Sequence, residues 1–189
     1  MKIGILISGR GSNMVALVDS VKRGEIPDSE VAVVISDKPE AAGLTKAHER
    51  GIETVVIERK KRSREDHDAE IIAELKKREV ELVCLAGYMR LLSPGFVQAF
   101  PNRIVNIHPS LLPKYPGLEV HERVLAAGET VSGCTVHFVD EGLDSGAIIL
   151  QREVPVNVDD TVESLSARVL EQEHGAYVEA VKRIVSGRL

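Results

Sequence analysis

Short apolar runs alternate with longer amphipathic stretches over the first hundred residues. The apolar runs are rich in Val, Ile and Leu, which is typical of strands buried on both faces of a parallel sheet. The stretches between them carry apolar residues at helical spacing, as Ile71, Ile72 and Leu75 do. The predicted strands are residues 3–7, 31–36, 54–57, 82–86 and 104–108, and the predicted helices are residues 14–22, 41–50, 64–79 and 93–100.

The second half of the chain has a different pattern. Residues 131–139 and 147–154 are β-rich and are joined by the turn "DEGLDSG", which predicts an antiparallel pair that continues the sheet. Asp160 followed by Glu163 resembles a capping box that opens a long helix close to the C-terminus. The inner side of this helix is predicted to carry Val162, Leu165, Val169 and Val178. The predicted fold is therefore α/β and Rossmann-like, with three α/β/α layers, a mostly parallel central sheet, an antiparallel C-terminal β-pair and a closing C-terminal helix.

Composition narrows the function classes. A chain of 189 residues suits one domain, and its net charge of -5 argues against a general nucleic-acid binder. No apolar segment approaches the roughly 20 residues that cross a bilayer, so no membrane partner is expected. The N-terminal "MKIGILISG" is too short in its apolar part for a secretory signal, which predicts a cytoplasmic location. Cys84 and Cys134 lie in apolar runs and are expected to be small buried residues, and no Cys/His spacing suggests a metal.

The loop "SGRGSN" joins the first strand to the first helix. Gly9 and Gly11 let successive N–H groups converge on an anion, and the helix dipole adds to the attraction, so a phosphate is a natural ligand. The loop also partly fits a dinucleotide fingerprint, with Asp37 as the ribose-binding acid, although position 14 is Met rather than the third glycine. An ordinary tight turn remains a third interpretation.

Several chemically distinctive segments follow predicted strands. Ligands of α/β sheets bind outside the carboxyl ends of the strands, where "SGRGSN", "GYMRLL", "NIHPSLLP" and "DEGLDSG" are expected to meet. Asn106 and His108 are two apart in a strand and face the same side, and the sheet can bring Asp144 towards them. An imidazolium that an aspartate stabilises, beside an amide donor, suits a developing oxyanion. His137 is interpreted as a packed strand residue outside this trio.

No serine or cysteine is placed as a nucleophile beside His108. A covalent acyl-enzyme is therefore not expected. The chemistry that remains is direct acyl transfer between two bound substrates through a tetrahedral intermediate.

The motifs together carry a family resemblance. The segments "ISGRGSN", "LAGYMRLLSP", "NIHPSLLPKYPG", "GCTVHFVDEGLDSG" and "QEH" resemble, in order and over essentially the whole chain, the folate-dependent glycinamide ribonucleotide formyltransferases of purine synthesis. The resemblance implies formyl transfer from the co-substrate 10-formyltetrahydrofolate to the amine of 5-phosphoribosylglycinamide, without a metal. It implies catalytic roles for Asn106, His108 and Asp144.

The resemblance also implies binding residues and an organisation. It implies one formyltransferase domain over residues 1–189, with a phosphate- and ribonucleotide-binding half at 1–100 and a folate-binding and catalytic half at 101–189, in a monomer or homodimer. The implied ribonucleotide contacts are Gly11, Ser12 and Asn13 at the phosphate, Pro109 near the glycinamide, and Glu173 at the ribose. The implied folate contacts are Arg64, Met89, Arg90, Leu91, Leu92, Asn106, Asp140, Glu141, Gly142 and Leu143.

Rival functions stay open at this point. Methionyl-tRNA formyltransferase adds a C-terminal RNA-binding domain and formyltetrahydrofolate hydrolase an N-terminal regulatory one, and 189 residues are expected to hold neither. A nicotinamide dehydrogenase would need the third glycine. A non-catalytic anion-binding module would explain the loop but would leave Asn106, His108 and Asp144 without a role.

Overall fold

A single sheet organises the computed structural model, which describes residues 1–188. The strands are β1 (Lys2–Ile7), β2 (Glu30–Ser36), β3 (Thr54–Val56), β4 (Leu82–Leu85), β5 (Ile104–His108), β6 (Val131–Phe138) and β7 (Ile148–Pro155). The helices are α1 (Ser12–Lys22), α2 (Ala42–Glu49), α3 (Arg64–Lys77), α4 (Pro94–Ala99), α5 (Val120–Ala126) and α6 (Val162–Val185).

The strand order is β3-β2-β1-β4-β5-β6-β7. Strands β1 to β5 pair in parallel, whereas β6 is antiparallel to both β5 and β7. One apolar core joins the sheet to α1, α5 and α6, and a second core joins the opposite face to α3 and α4. The predicted three-layer fold with an antiparallel C-terminal pair is therefore confirmed.

Helix α6 is anchored to the middle of the sheet by a fully buried tyrosine. The Tyr177 hydroxyl lies 2.9 Å from the carbonyl oxygens of both Leu85 and Val105, which belong to the paired strands β4 and β5. A buried hydroxyl needs such partners, because leaving it unpaired in an apolar core is costly. This contact fixes the position of α6 against the sheet. It thereby places Glu173, which lies one helical turn before Tyr177, near the strand ends.

The start of α6 differs from the prediction. The capping box is formed by Thr161 and Ser164, while Asp160 accepts hydrogen bonds from Asn157 and Arg168. The predicted box of Asp160 and Glu163 is one residue early, and Val162 is exposed rather than on the inner side. The cap was misplaced because a serine can close the reciprocal pair as well as a glutamate can.

Helix α5 was not predicted. Only Val120 and Val124 of this short helix are buried, so its periodic signal is too brief to stand out from a loop. Within residues 1–188, no helix is both long enough and apolar enough to cross a membrane.

Candidate active site

The segments that follow β1 and β4 contact each other at the carboxyl edge of the parallel strands, and the segments that follow β5 and β6 contact each other beside them. The Ser8 N–H donates to the Gly87 carbonyl at 3.1 Å, and the Met89 N–H donates to the Ser8 hydroxyl at 2.9 Å. On the other side of β5, the Gly117 N–H donates to the Asp144 carboxylate at 2.9 Å. Because β6 is antiparallel and ends beside Val105 at the start of β5, the turn after it folds back for Asp144 to reach the segment that follows β5.

His108 is the last residue of β5, and only 5% of it is exposed. Its Nε2 donates to the Tyr115 carbonyl at 2.8 Å. That bond fixes which nitrogen carries a proton and turns Nδ1 towards Asp144, whose Oδ2 lies 3.4 Å away. When Nδ1 is also protonated, the ring is a cation whose second N–H points towards this carboxylate.

Asp144 is held in an unusual backbone conformation. Its φ of 50° lies in the left-handed region, which an aspartate tolerates better than most residues do. The bond from the Gly117 N–H fixes Oδ2, while Oδ1 lies 3.7 Å from Nε2 of His137. The carboxylate therefore lies between two imidazoles, within reach of both.

Asn106 is oriented by His137, its direct neighbour across the β5–β6 ladder. The His137 Nδ1 donates to the Phe138 carbonyl at 2.8 Å, so its Nε2 is free to accept from the Asn106 amide at 3.2 Å. Burial lowers the pKa of His137, and the nearby Asp144 charge only partly opposes this, which favours the neutral acceptor form. One amide hydrogen of Asn106 is thus engaged, and the second remains available to a ligand.

The interpretation of His137 as a packed strand residue is therefore incomplete. The ring is buried, but it contacts both Asn106 and Asp144. The available signal was its position opposite Asn106 in an antiparallel pair, since directly opposed residues share a face. Tyr115 and Gly117 were also missed, because they act through backbone atoms and their side chains carry no signal.

The loop before α1 presents an unblocked helix N-terminus. Gly11 occupies the N-cap with φ 69°, no side chain caps the helix, and the first turn has no acidic residue. A Cβ at Gly11 would lie 2.8 Å from the Gly43 Cα, so glycine is required for both conformation and space. The N–H groups at Ser12 and Asn13 are consequently free to bind an anion.

Glu173 lies next to this loop, on the inner face of α6. Asn13 Nδ2 donates to Glu173 Oε2 at 2.7 Å, while Asn13 Oδ1 is buried without a hydrogen-bond partner. Burial raises the pKa of Glu173, and the bond from Asn13 only partly offsets it. A carboxylate beside an unpaired amide oxygen is an acceptor pair suited to neighbouring hydroxyl groups.

The implied folate site includes several exposed apolar residues. Met89, Leu91 and Leu143 are more than half exposed, as is Leu118, which no sequence motif indicated. Exposed apolar side chains gathered beside polar groups are typical of ligand-binding surfaces. Leu92 is partly buried and packs against the second core, which anchors the residues after β4 to the body of the protein.

The remaining implied folate contacts are placed as follows. Asp140 accepts from the Gly142 N–H and the Ser145 hydroxyl, so its side chain shapes the turn itself. Glu141 accepts from Gln98 at 3.3 Å. Arg64 is the first residue of α3, and its partly exposed guanidinium lies 3.9 Å from Glu65. Pro109, directly after His108, is half-buried.

Neither cysteine offers a nucleophile. Burial raises the pKa of Cys84 and of Cys134 to about 12, so both remain thiols at neutral pH. In the part of the chain that the structure describes, no group of three His, Cys, Asp or Glu side chains is arranged to hold a metal ion.

Comparisons with known proteins agree with this geometry. The formyl transferase family model matches residues 1–181. Phosphoribosylglycinamide formyltransferase of Escherichia coli K12 is 45% identical over 190 aligned positions, which cover 100% of this chain and 89% of that protein. The crystal structure of glycinamide ribonucleotide transformylase 1 from Symbiobacterium toebii superposes with a TM-score of 0.98 at 49% identity, covering 100% of this chain and 89% of that one.

A longer relative carries the same unit. The trifunctional purine biosynthetic protein adenosine-3 of Drosophila melanogaster is 50% identical over 98% of this chain, and the chain spans only 14% of that protein's length. The Escherichia coli and Symbiobacterium toebii proteins, by contrast, are each covered over 89% of their length. The chain therefore belongs to the formyl transferase family, among the phosphoribosylglycinamide formyltransferases.

Proposed function

We propose that this chain transfers the formyl group of 10-formyltetrahydrofolate to the amine of 5-phosphoribosylglycinamide, giving formylglycinamide ribonucleotide and tetrahydrofolate in purine synthesis. The observation that carries the proposal is the cluster of Asn106, His108 and Asp144 at the meeting point of the two candidate binding surfaces. The folate is consumed as a co-substrate.

The chemistry needs a site for negative charge. When the amine nitrogen attacks the formyl carbon, the carbonyl π electrons move to oxygen and leave an oxyanion. The second amide hydrogen of Asn106 and the Nδ1–H of a protonated His108 are the two donors at hand, in a partly buried setting where such bonds are strong. Their preorganisation comes from His137 and from the Tyr115 carbonyl.

The proton balance then involves Asp144. The attacking amine must lose a proton, and N10 of the folate must gain one before the C–N10 bond breaks and the carbonyl re-forms. Asp144 can accept the first proton and return it to the leaving nitrogen, directly or through water. Its carboxylate oxygens lie 3.4 Å from Nδ1 of His108 and 3.7 Å from Nε2 of His137, so the carboxylate is placed to orient the His108 ring.

The ribonucleotide fits the α1 side of the cluster. The free N–H groups at Gly11, Ser12 and Asn13 would hold the phosphate, and Glu173 with the Asn13 amide oxygen would accept from the ribose hydroxyls. Pro109, next to His108 in the chain, would place the glycinamide beside the formyl group. Orientation of two reactants in this way supplies a large part of the acceleration in such reactions.

The folate would bind the exposed apolar residues on the other side of the cluster. Met89, Leu91 and Leu143 would contact the pterin and the adjoining ring, together with the backbone of Arg90, Leu92 and the 140–143 turn. Arg64 lies one helical turn before Asp68, which contacts the Ser93 N–H, so it is on the side of α3 that faces this segment. Its cation would meet the carboxylates at the outer end of the folate.

The direct test is an assay of the purified chain with both substrates, followed by the mass of the ribonucleotide product. The expected product carries one formyl group in place of one amine hydrogen, and its formation requires both substrates. Saturable binding of NAD, with no binding of a folate analogue and no formylated product, would instead support the dinucleotide alternative. Against that alternative, the Asp37 side chain is only 1% exposed and one of its oxygens binds Arg90, so a ribose would have to displace that contact to reach the carboxylate.

Replacing Glu173 by glutamine should weaken binding of the ribonucleotide and at the same time raise the unfolding temperature of the protein at pH 7. The KM for the ribonucleotide should rise about tenfold, because a charged acceptor is lost, while the KM for the folate stays within about twofold. Burial raises the Glu173 pKa above its ordinary 4.5, so the stability tied to its neutral form is lost as pH rises through the raised pKa. The variant should therefore unfold at a higher temperature than wild type at pH 7, and the difference should close below about pH 4.

The matched control is Glu171→Gln, which removes an exposed carboxylate two residues earlier on the same helix. It should change neither the KM for the ribonucleotide nor the unfolding temperature. A Glu173→Gln variant with the wild-type ribonucleotide KM would reject the ribose contact, and one less stable than wild type at pH 7 would reject the burial argument.

The division at residue 100, the monomer or homodimer, and the cytoplasmic location stay predictions. The sheet is continuous across the proposed division, because β4 pairs with β5.

A further inference from the structure

A buried carboxylate outside the catalytic cluster lacks a role in the chemistry above. Asp37 follows β2 and is only 4% exposed. Its Oδ2 accepts from the Arg90 Nε at 2.5 Å, while its Oδ1 is buried without a hydrogen-bond partner. Because β2 and β4 lie on either side of β1, this contact passes over the carboxyl end of β1.

Arg90 belongs to an irregular stretch, residues 87–92, between β4 and α4. No strand or helix hydrogen bonds hold the backbone of this stretch, so its conformation depends on a few individual contacts. The Ser8 hydroxyl accepts from the Met89 N–H at 2.9 Å, and the Asp68 carboxylate accepts from the Ser93 N–H at 2.6 Å. The contact of Asp37 with Arg90 lies between these two along the chain. Of the three, it is the one that holds a side chain rather than a backbone N–H.

The surroundings of Asp37 are poorly suited to a purely stabilising ion pair. Its side chain is 1% exposed and that of Arg90 is 32% exposed, so the carboxylate loses its hydration while the guanidinium keeps part of its own. The attraction in such a pair is largely offset by the cost of removing the carboxylate from water. The Tyr88 hydroxyl nearby is also buried without a partner. A contact with little net stabilisation is better explained by the conformation that it fixes.

We propose that Asp37 is a positioning residue for the folate, and that it acts by holding Arg90 and thereby the course of residues 87–92. This inference rests on the proposed function, since it assumes that this stretch lines the folate site. Asp37 touches no reacting atom. It sets the backbone that the pterin contacts, and the exposed Met89 and Leu91 side chains flank the residue it holds.

The test is a comparison of steady-state constants for Asp37→Asn and wild type with both substrates. The amide keeps the size of the side chain but loses the charge that holds the guanidinium. The KM for 10-formyltetrahydrofolate should rise about tenfold, whereas kcat and the KM for the ribonucleotide should change less than about twofold. A loss of folding alone would lower the active fraction and reduce kcat without this selective change in KM.

Two further variants make the test specific. Asp19→Asn removes a similar contact elsewhere, where Arg50 Nε donates to Asp19 at 2.7 Å, and it should leave the folate KM unchanged. Arg90→Gln should reproduce the rise in folate KM, and adding Asp37→Asn to it should cause no further rise. Because the Arg90 side chain is partly exposed, Arg90→Gln also serves if Asp37→Asn does not fold.

The outcomes separate the inference from the proposed function. Wild-type protein that fails to formylate the ribonucleotide would reject the function and with it the inference. Active wild-type protein with an unchanged folate KM in Asp37→Asn, or in Arg90→Gln where the first variant does not fold, would reject the inference alone. If the folate KM of the double variant rises by the product of the two single-variant factors, Asp37 does not act through Arg90.

Discussion

Replacement of His108 by alanine should lower kcat by about 10³-fold while the chain remains folded. The ring supplies one of two donors to the oxyanion, and its removal takes away both that charge and its share of proton transfer, effects that cost 10² to 10⁴ each in comparable sites. KM values should change little, because the imidazole acts mainly after both substrates are bound. The measurement is steady-state turnover with both substrates saturating.

The control for this variant is His48→Ala, at an exposed position on α2. It should keep wild-type turnover. The loss of the bond to the Tyr115 carbonyl should cost His108→Ala about 1–2 kcal/mol of unfolding free energy, which a denaturant titration will separate from catalysis. A folded variant that keeps more than about a tenth of wild-type turnover would remove His108 from the mechanism.

Replacement of Asp144 by asparagine should lower kcat by about 10²- to 10³-fold. The amide oxygen can still accept from the Gly117 N–H, so the backbone at this position should be retained. The variant loses the carboxylate that lies between the two imidazoles, and with it the proton acceptor for the attacking amine. Turnover at saturating substrate is again the measurement.

Asp159→Asn is the matched control, because it removes a carboxylate from an exposed position before α6. It should have no effect on turnover. Should Asp144→Asn retain nearly full activity in a folded chain, proton transfer would have to run through water without this carboxylate, and its assigned role would fail.

The features that the sequence predicted are those with a regular period or a distinctive motif. Buried strands such as 3–7 and 82–86 are recognisable as apolar runs. The helix predicted at 93–100 is present as α4, and the Ser93 side chain caps its first turn. The sequence predicted that Asp144 comes near His108, although 36 residues separate them in the chain. Strand order alone does not give this contact, because β6 is antiparallel and ends beside Val105 at the start of β5, so the turn after it has to fold back towards His108.

The features that it missed depend on cross-strand register or on backbone atoms. His137 meets Asn106 only because β6 pairs with β5 in one particular register, and a shift of one residue would turn the ring to the other face. The Tyr115 carbonyl and the Gly117 N–H orient His108 and Asp144 without any side-chain signal. Asp37 was considered for a ribose, and its contact with Arg90 becomes visible only when residues after β2 and β4 meet across β1.

The central claim is that His108 and Asp144 act as one unit, and the double variant His108→Ala with Asp144→Asn tests it most directly. Its kcat should lie within about threefold of that of His108→Ala alone, because the carboxylate has little left to act on once the ring is gone. A double variant whose loss equals the product of the two single losses would contradict the claim and assign the two side chains to independent steps.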